Sequence, residues 1–169
     1  MDLEDRVAEL ERRLAALEGA DRGGGRAAHP EDSDFWALEG LKAKFAEGEV
    51  AHGGVLFTGA VRLPTGERYE WQQSLPTDAL LGEDWSDVAE SFAALGHSVR
   101  MRLLREILDG RRTVAELAAL DGLGTTGQVY HHLRQLTSAG WLHVAGRGRY
   151  QVPPGRMVPL LVVLAASRP

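Results

Sequence analysis

The feature that most constrains this chain is a pair of short helical patterns joined by glycines between Thr113 and Gly140. Thr113-Val-Ala-Glu116 has the form of a capping box, with Thr113 at the N-cap and Glu116 at the third helical position. Leu117 and Leu120 give the short helix behind it a buried side. Asp121-Gly122-Leu123-Gly124 reads as a tight turn. Val129, Leu133 and Leu136 then recur at helical spacing, which predicts a helix over 125–138 with Gly140 at its C-cap side. Two short helices around a glycine turn form a helix–turn–helix pattern.

The flanks extend that pattern. Ser86 or Asp87 is expected to cap a helix carrying Val88, Phe92 and Leu95, broken at Gly96. Ser98 is expected to cap the next one, with Val99, Leu103, Leu104, Ile107 and Leu108 inward and Asp109-Gly110 at its end. After Gly140, Trp141-Leu-His-Val and Arg149-Tyr-Gln-Val read as two strands around Gly146-Arg147-Gly148. That is a wing with arginines at its tip. The fold class expected is mainly α with a small β component. A winged helix–turn–helix domain over 85–152 would be preceded by a coiled-coil helix and a helix-plus-hairpin segment.

The run FAALGHSVRMRLL from Phe92, and QVYHHLRQLTSAGWL from Gln128, resemble the opening helix and the recognition helix of ArsR/SmtB-type winged helix–turn–helix repressors. The resemblance covers about 75 residues from Trp85 and leaves out the first 84. It implies a DNA-binding regulator. Some members of that family bind metal through a cysteine pair on the first helix of the motif, and others through Asp, His and Glu on the last helix. Here Val114–Leu120 has no thiol, and the tail from Met157 to Ser167 has no such ligand, so no metal and no cofactor is expected. His131 and His132 are adjacent, so on a helix they diverge by about 100° and do not form an i,i+4 ligand pair. His131 is expected to face outward and His132 inward.

A recognition helix entering the major groove presents side chains to base edges. The candidates on its exposed face are Thr125, Thr126, Gln128, Tyr130, His131 and Arg134, with Gln128 suited to bidentate pairing with adenine. Gly127 permits close backbone approach. Arg147 and Arg149 in the wing, and Arg111 and Arg112 before the capping box, suit phosphates.

Charge agrees with this division. The chain's net charge is −5, but residues 1–84 hold 9 Lys and Arg against 18 Asp and Glu, whereas residues 85–156 hold 9 Arg against 6 acids. The mildly basic half carries the motif.

Leu3, Val7, Leu10, Leu14 and Leu17 are spaced as heptad a and d positions, predicting a coiled coil over 1–18. A parallel pair would set Arg6 against Glu11 and Arg13 against Glu18, whereas an antiparallel pair would set like charges together. A single helix packed on its own domain is the alternative. Residues 19–32 read as a flexible linker. In the segment 33–84, Ser33 or Asp34 would cap a helix from Phe35 to Ala46, with Phe35, Leu38, Leu41 and Phe45 on one side. A hairpin follows, turning at Pro64-Thr65-Gly66. Its apolar face carries Val55, Phe57, Val61 and Leu63 on one strand, and Tyr69, Trp71 and Leu75 on the other. That face suits either a hydrophobic core or a small-ligand pocket. In the tail, 153–169, Pro159 would open a helix whose Leu160, Leu161 and Leu164 either pair two copies or cover the domain's own core.

The chain has no cysteine, so disulfides and thiolate chemistry are excluded. The charged start, MDLEDRVAEL, is no secretory signal, and the longest apolar run, 157–166, is too short for a bilayer. The expectation is a soluble cytoplasmic protein without a membrane partner. No Ser/His/Asp arrangement and no Walker loop argue for an enzyme. The reading is a homodimeric, sequence-specific transcription regulator whose partners are double-stranded DNA and a second copy. The alternatives are a winged-helix interaction or scaffold module without DNA binding, and a sensor holding a small-molecule effector on the hairpin aromatics.

Overall fold

The computed structural model describes residues 35–168. The expected coiled coil (1–18), the linker (19–32) and the candidate caps Ser33 and Asp34 lie outside the described residues. The chain divides into two units at Gly53–Gly54.

In the first unit, α1 (Trp36–Glu47) buries none of its residues. Its N-cap residue, Phe35, makes no side-chain cap. An i,i+3 pair, Glu39–Lys42 at 2.8 Å, lies on its exposed surface and contributes a few tenths of a kcal/mol at most. The expected apolar side is loose, since Phe35 and Leu38 are exposed.

The second unit opens with the hairpin β1 (Gly54–Arg62) and β2 (Arg68–Pro76), antiparallel and in register from Gly54↔Pro76 to Arg62↔Arg68. Leu63 is buried in the core, with Val61 and Tyr69 packed against it, so this end of the apolar face serves as core. A short helix that the sequence pattern does not predict, α2 (Thr77–Gly82), follows β2 directly. A 3₁₀ turn, Trp85–Val88, then leads into α3 (Ala89–Leu95). The cap there is Asp84, whose Oδ1 accepts from Ser86 N at 2.9 Å, and not Ser86 or Asp87. Of α3 only Ala94 and Leu95 are buried, whereas Val88 and Phe92 stand in solvent.

The cap of α4 (Ser98–Leu108) also differs from expectation. His97, not Ser98, occupies the N-cap, and its Nδ1 accepts from Val99 N at 3.2 Å. A ring nitrogen acting as acceptor does there what a hydroxyl usually does. Leu103, Leu104 and Ile107 project from α4 into the core. Thr113 and Glu116 form the expected capping box of α5 (Val114–Ala118). A turn follows with Leu123 buried at its centre, and α6 runs over Thr126–Ser138, burying Val129, Leu133 and Leu136. Each enclosed leucine adds about 2 kcal/mol of apolar transfer free energy, an upper figure. The wing consists of β3 (His143–Ala145) and β4 (Arg149–Gln151), antiparallel with Val144 opposite Tyr150.

The last helix, α7 (Pro154–Ala166), starts earlier than expected, with Pro154 rather than Pro159 in its first turn. Pro159 lies inside it and cannot donate to the Gly155 carbonyl four residues back. Leu160 is fully buried in the chain's own core, beside Met157 and Val158. It therefore gives nothing to a second copy, and of the three expected contact leucines only Leu161 and Leu164 keep some exposure. The hairpin lies on this helix. A Cβ on Gly59 would come within 2.8 Å of Val158 Cγ1, so only glycine lets β1 approach α7 this closely. Trp71, opposite Gly59, reaches over Gly155.

Among the described residues no helix is long and apolar enough to cross a membrane.

Candidate nucleic-acid interface

The start of α6 is the most tightly specified part of the site. Thr125 is its N-cap, and Thr125 Oγ1 accepts from Gln128 N at 3.3 Å. In return Gln128 Oε1 accepts from Thr125 N at 2.8 Å. This is a second capping box, signalled by the Thr-x-x-Gln spacing at 125–128 but absent from the sequence reading above. It commits the Gln128 carbonyl, half of the bidentate edge that adenine pairing would need. Gly124 belongs to the same arrangement. Its φ is +89°, and a Cβ there would lie 2.4 Å from Gln128 Oε1. The glycine makes room for the cap.

Beyond the cap, Thr126, Tyr130, His131 and Arg134 are all exposed on α6. Tyr130, His131 and Arg134 follow helical spacing and so share one side. Among the described residues Arg134 has no hydrogen bond or ion pair, and an open groove lined by Glu90, Arg100, His131, Arg134 and Gln135 runs beside it. Arg100 is a structural member of that groove. Its Nε donates to Ala94 O at 2.6 Å and its Nη2 to Ala93 O at 2.7 Å, and Nη1 donates to Gln135 Oε1 at 2.5 Å.

His132 turns inward. Its ring stands 4.7 Å from that of His97, and its Nδ1 is buried without a partner. Burial foremost, and then His97, Arg100 and His131, push its pKa below the ordinary histidine value. Among the described residues no cluster of three or more His, Asp or Glu side chains is suited to a metal ion.

The five remaining arginines of interest divide sharply. Arg111 pairs with Glu106. Arg112 is 9% exposed, and its guanidinium is held by the Glu67 carboxylate at the β1–β2 turn. The Arg112 guanidinium is not free for phosphate, whereas the Arg111 side chain stays half exposed beside its partner. Arg149 lies in the field of Glu116, whose own pKa is lowered first by hydrogen bonds from Thr113. Arg147 is exposed at the wing tip between two glycines, with φ +63°, and has no hydrogen bond or ion pair among the described residues. A non-glycine residue in that left-handed region costs about 1 kcal/mol. Arg102, which the motif reading overlooks, reaches the helix–turn–helix turn. A Cβ on Gly122 would be 3.1 Å from its Nη1.

The wing is joined to both helices. Tyr150 is buried and its hydroxyl pKa is raised, by burial first and then by Tyr130 of α6. Tyr150 N donates to Arg112 O at 2.7 Å, just ahead of α5.

Residues 95–145 match the model of a helix-turn-helix domain family, one of the ArsR-like group. The matched stretch runs from the end of α3 to the end of β3. No curated protein and no solved structure gives a significant match to the chain.

Proposed function

We propose that the protein is a sequence-specific DNA-binding transcription regulator of the ArsR/SmtB type, acting as a homodimer. In this reading α6 enters the major groove and the wing rests on the backbone or in the minor groove. The observation that carries it is the outward face of α6, with Thr126, Tyr130, His131 and an Arg134 that has no partner among the described residues, on a helix capped at both its N-cap and third position. Thr126, at the leading end, is suited to phosphate or to a thymine methyl. Arg134 and Arg147 are the phosphate and groove cations. Gln128 and Thr125 set the helix's start, and their contribution to base reading is smaller than sequence alone implies.

A second copy is supported by an apolar cluster. Trp85, Val88 and Phe92 line one open hollow and are each between 43% and 65% exposed, a grouping that marks contact surfaces. A symmetric dimer would read two half-sites about 34 Å apart.

Capture of genomic fragments by the intact protein, followed by sequencing, tests the reading. A recurrent inverted repeat with half-sites one helical turn apart is the expected result. Capture without any recurring motif would contradict it and leave the scaffold alternative.

A further inference from the structure

The β1–β2 hairpin lies outside the stretch matched to the helix–turn–helix family, yet its turn reaches the loop between α4 and α5. Glu67 is the residue that joins them. Arg112 Nη1 donates to Glu67 Oε1 at 3.1 Å, and Nη2 donates to Glu67 Oε2. Thr65 Oγ1 donates to the same Oε2 at 2.8 Å and fixes the carboxylate from its own side. Thr65 also lies on the loop itself, since a Cβ on Gly110 would be 3.0 Å from Thr65 Cγ2.

The backbone of Arg112 has two other engagements. Its N–H donates to Glu116 Oε2 at 2.9 Å, the carboxylate that caps α5. Its carbonyl accepts from Tyr150 N at 2.7 Å, the amide at the centre of β4. One residue thus ties the hairpin turn by its side chain, the first motif helix by its N–H and the wing by its carbonyl. The guanidinium is nearly closed off from water, so losing its carboxylate leaves a charge with poor solvation, and the loop must shift to relieve it.

We propose that Glu67 is a positioning residue for the wing: acting through Arg112, the hairpin turn sets where β4 is held against the helix–turn–helix. The hairpin is then part of the DNA-reading unit and the place from which that unit can be tuned. The inference rests on reading the wing as a DNA contact only for its functional consequence, not for the mechanical link.

Amide hydrogen exchange on the full chain tests the link without DNA. In Glu67→Gln the Tyr150 amide is expected to exchange about tenfold faster, while the Val129 and Leu133 amides keep wild-type protection. Equal acceleration at all three would show general loss of stability and overturn the proposal, as would an unchanged Tyr150. Thr65→Val, a milder change, should shift Tyr150 in the same direction if Glu67→Gln folds poorly. Titration of captured DNA tests the consequence. Glu67→Gln should weaken binding about threefold in the wild-type wing and have no further effect in an Arg147→Ala background. Full additivity there would overturn the positioning role. A wild-type protein that binds no DNA would refute the proposed function, while the exchange result would still decide the mechanical link.

Discussion

The described residues form two hairpins, and an arginine stands at the turn end of each. At the β1–β2 turn the arginine comes from elsewhere in the chain. Arg112 is nearly buried and held by Glu67. At the β3–β4 turn Arg147 belongs to the hairpin itself, exposed, without a partner among the described residues and in a left-handed backbone conformation. The first arrangement uses a cation to join two elements. The second leaves a cation unused and places it where the backbone disfavours it. An exposed cation in a disfavoured conformation, with no partner among the described residues, is what an external anion would explain.

Removing each arginine should separate the two roles most strongly. Arg112→Ala should lower unfolding free energy by about 2–3 kcal/mol, less than a fully buried pair because Glu67 keeps some solvent. Arg147→Ala should change it by less than about 0.5 kcal/mol. Denaturant melts of both variants check this, and a large loss for Arg147→Ala would break the comparison.

The next contrast is in seating. Gly59→Ala should cost about 1–3 kcal/mol, because the added methyl meets Val158. Gly146→Ala, with nothing within 4 Å of its Cβ, should be close to neutral. Thermal midpoints measured side by side would show it.

Much of this was legible in the sequence because it is local. The Thr113/Glu116 box and the spacing of Val129, Leu133 and Leu136 are properties of one helix each, and they place the motif. The same locality explains what was missed. Any acceptor can cap a helix, so Ser98 reads as well as His97 until backbone geometry chooses between them. An apolar face reads alike whether it meets its own core or is left outside. Leu160, which suits a second copy or the chain's own core equally well as a letter, is internal, while Phe92, on the helix ahead of the motif, is exposed. The Glu67–Arg112 pair spans 45 residues, and no pattern in either segment announces it. The candidate site suffers the same way. Arg111, Arg112 and Arg147 look equivalent as letters, and only tertiary pairing distinguishes them.

Acid should act on the β1–β2 hairpin through Glu67. The hydrogen-bonded Arg112 guanidinium, helped by the Thr65 hydroxyl and opposed by burial, holds the Glu67 carboxyl below the ordinary value of 4.5. A carboxylate whose folded pKa is depressed stabilises above its unfolded value and loses that contribution as pH falls through the folded one. The stability difference between wild type and Glu67→Gln should therefore be full at neutral pH and shrink below about pH 4.5. Melts across that range would show it, and a difference independent of pH would break the assignment.

The smallest effect sharpens the contrast further. Arg147→Gly should raise stability by about 0.5–1 kcal/mol by relieving the backbone while weakening DNA binding.

The most direct measurement is DNA affinity as a function of salt, for wild type and for the Arg134→Ala, Arg147→Ala double variant. The account predicts binding that falls steeply between about 50 and 200 mM salt, with a logarithmic slope shallower by about 2 in the variant. Equal slopes for the two proteins, or no binding by the wild type at the lowest salt, would contradict it.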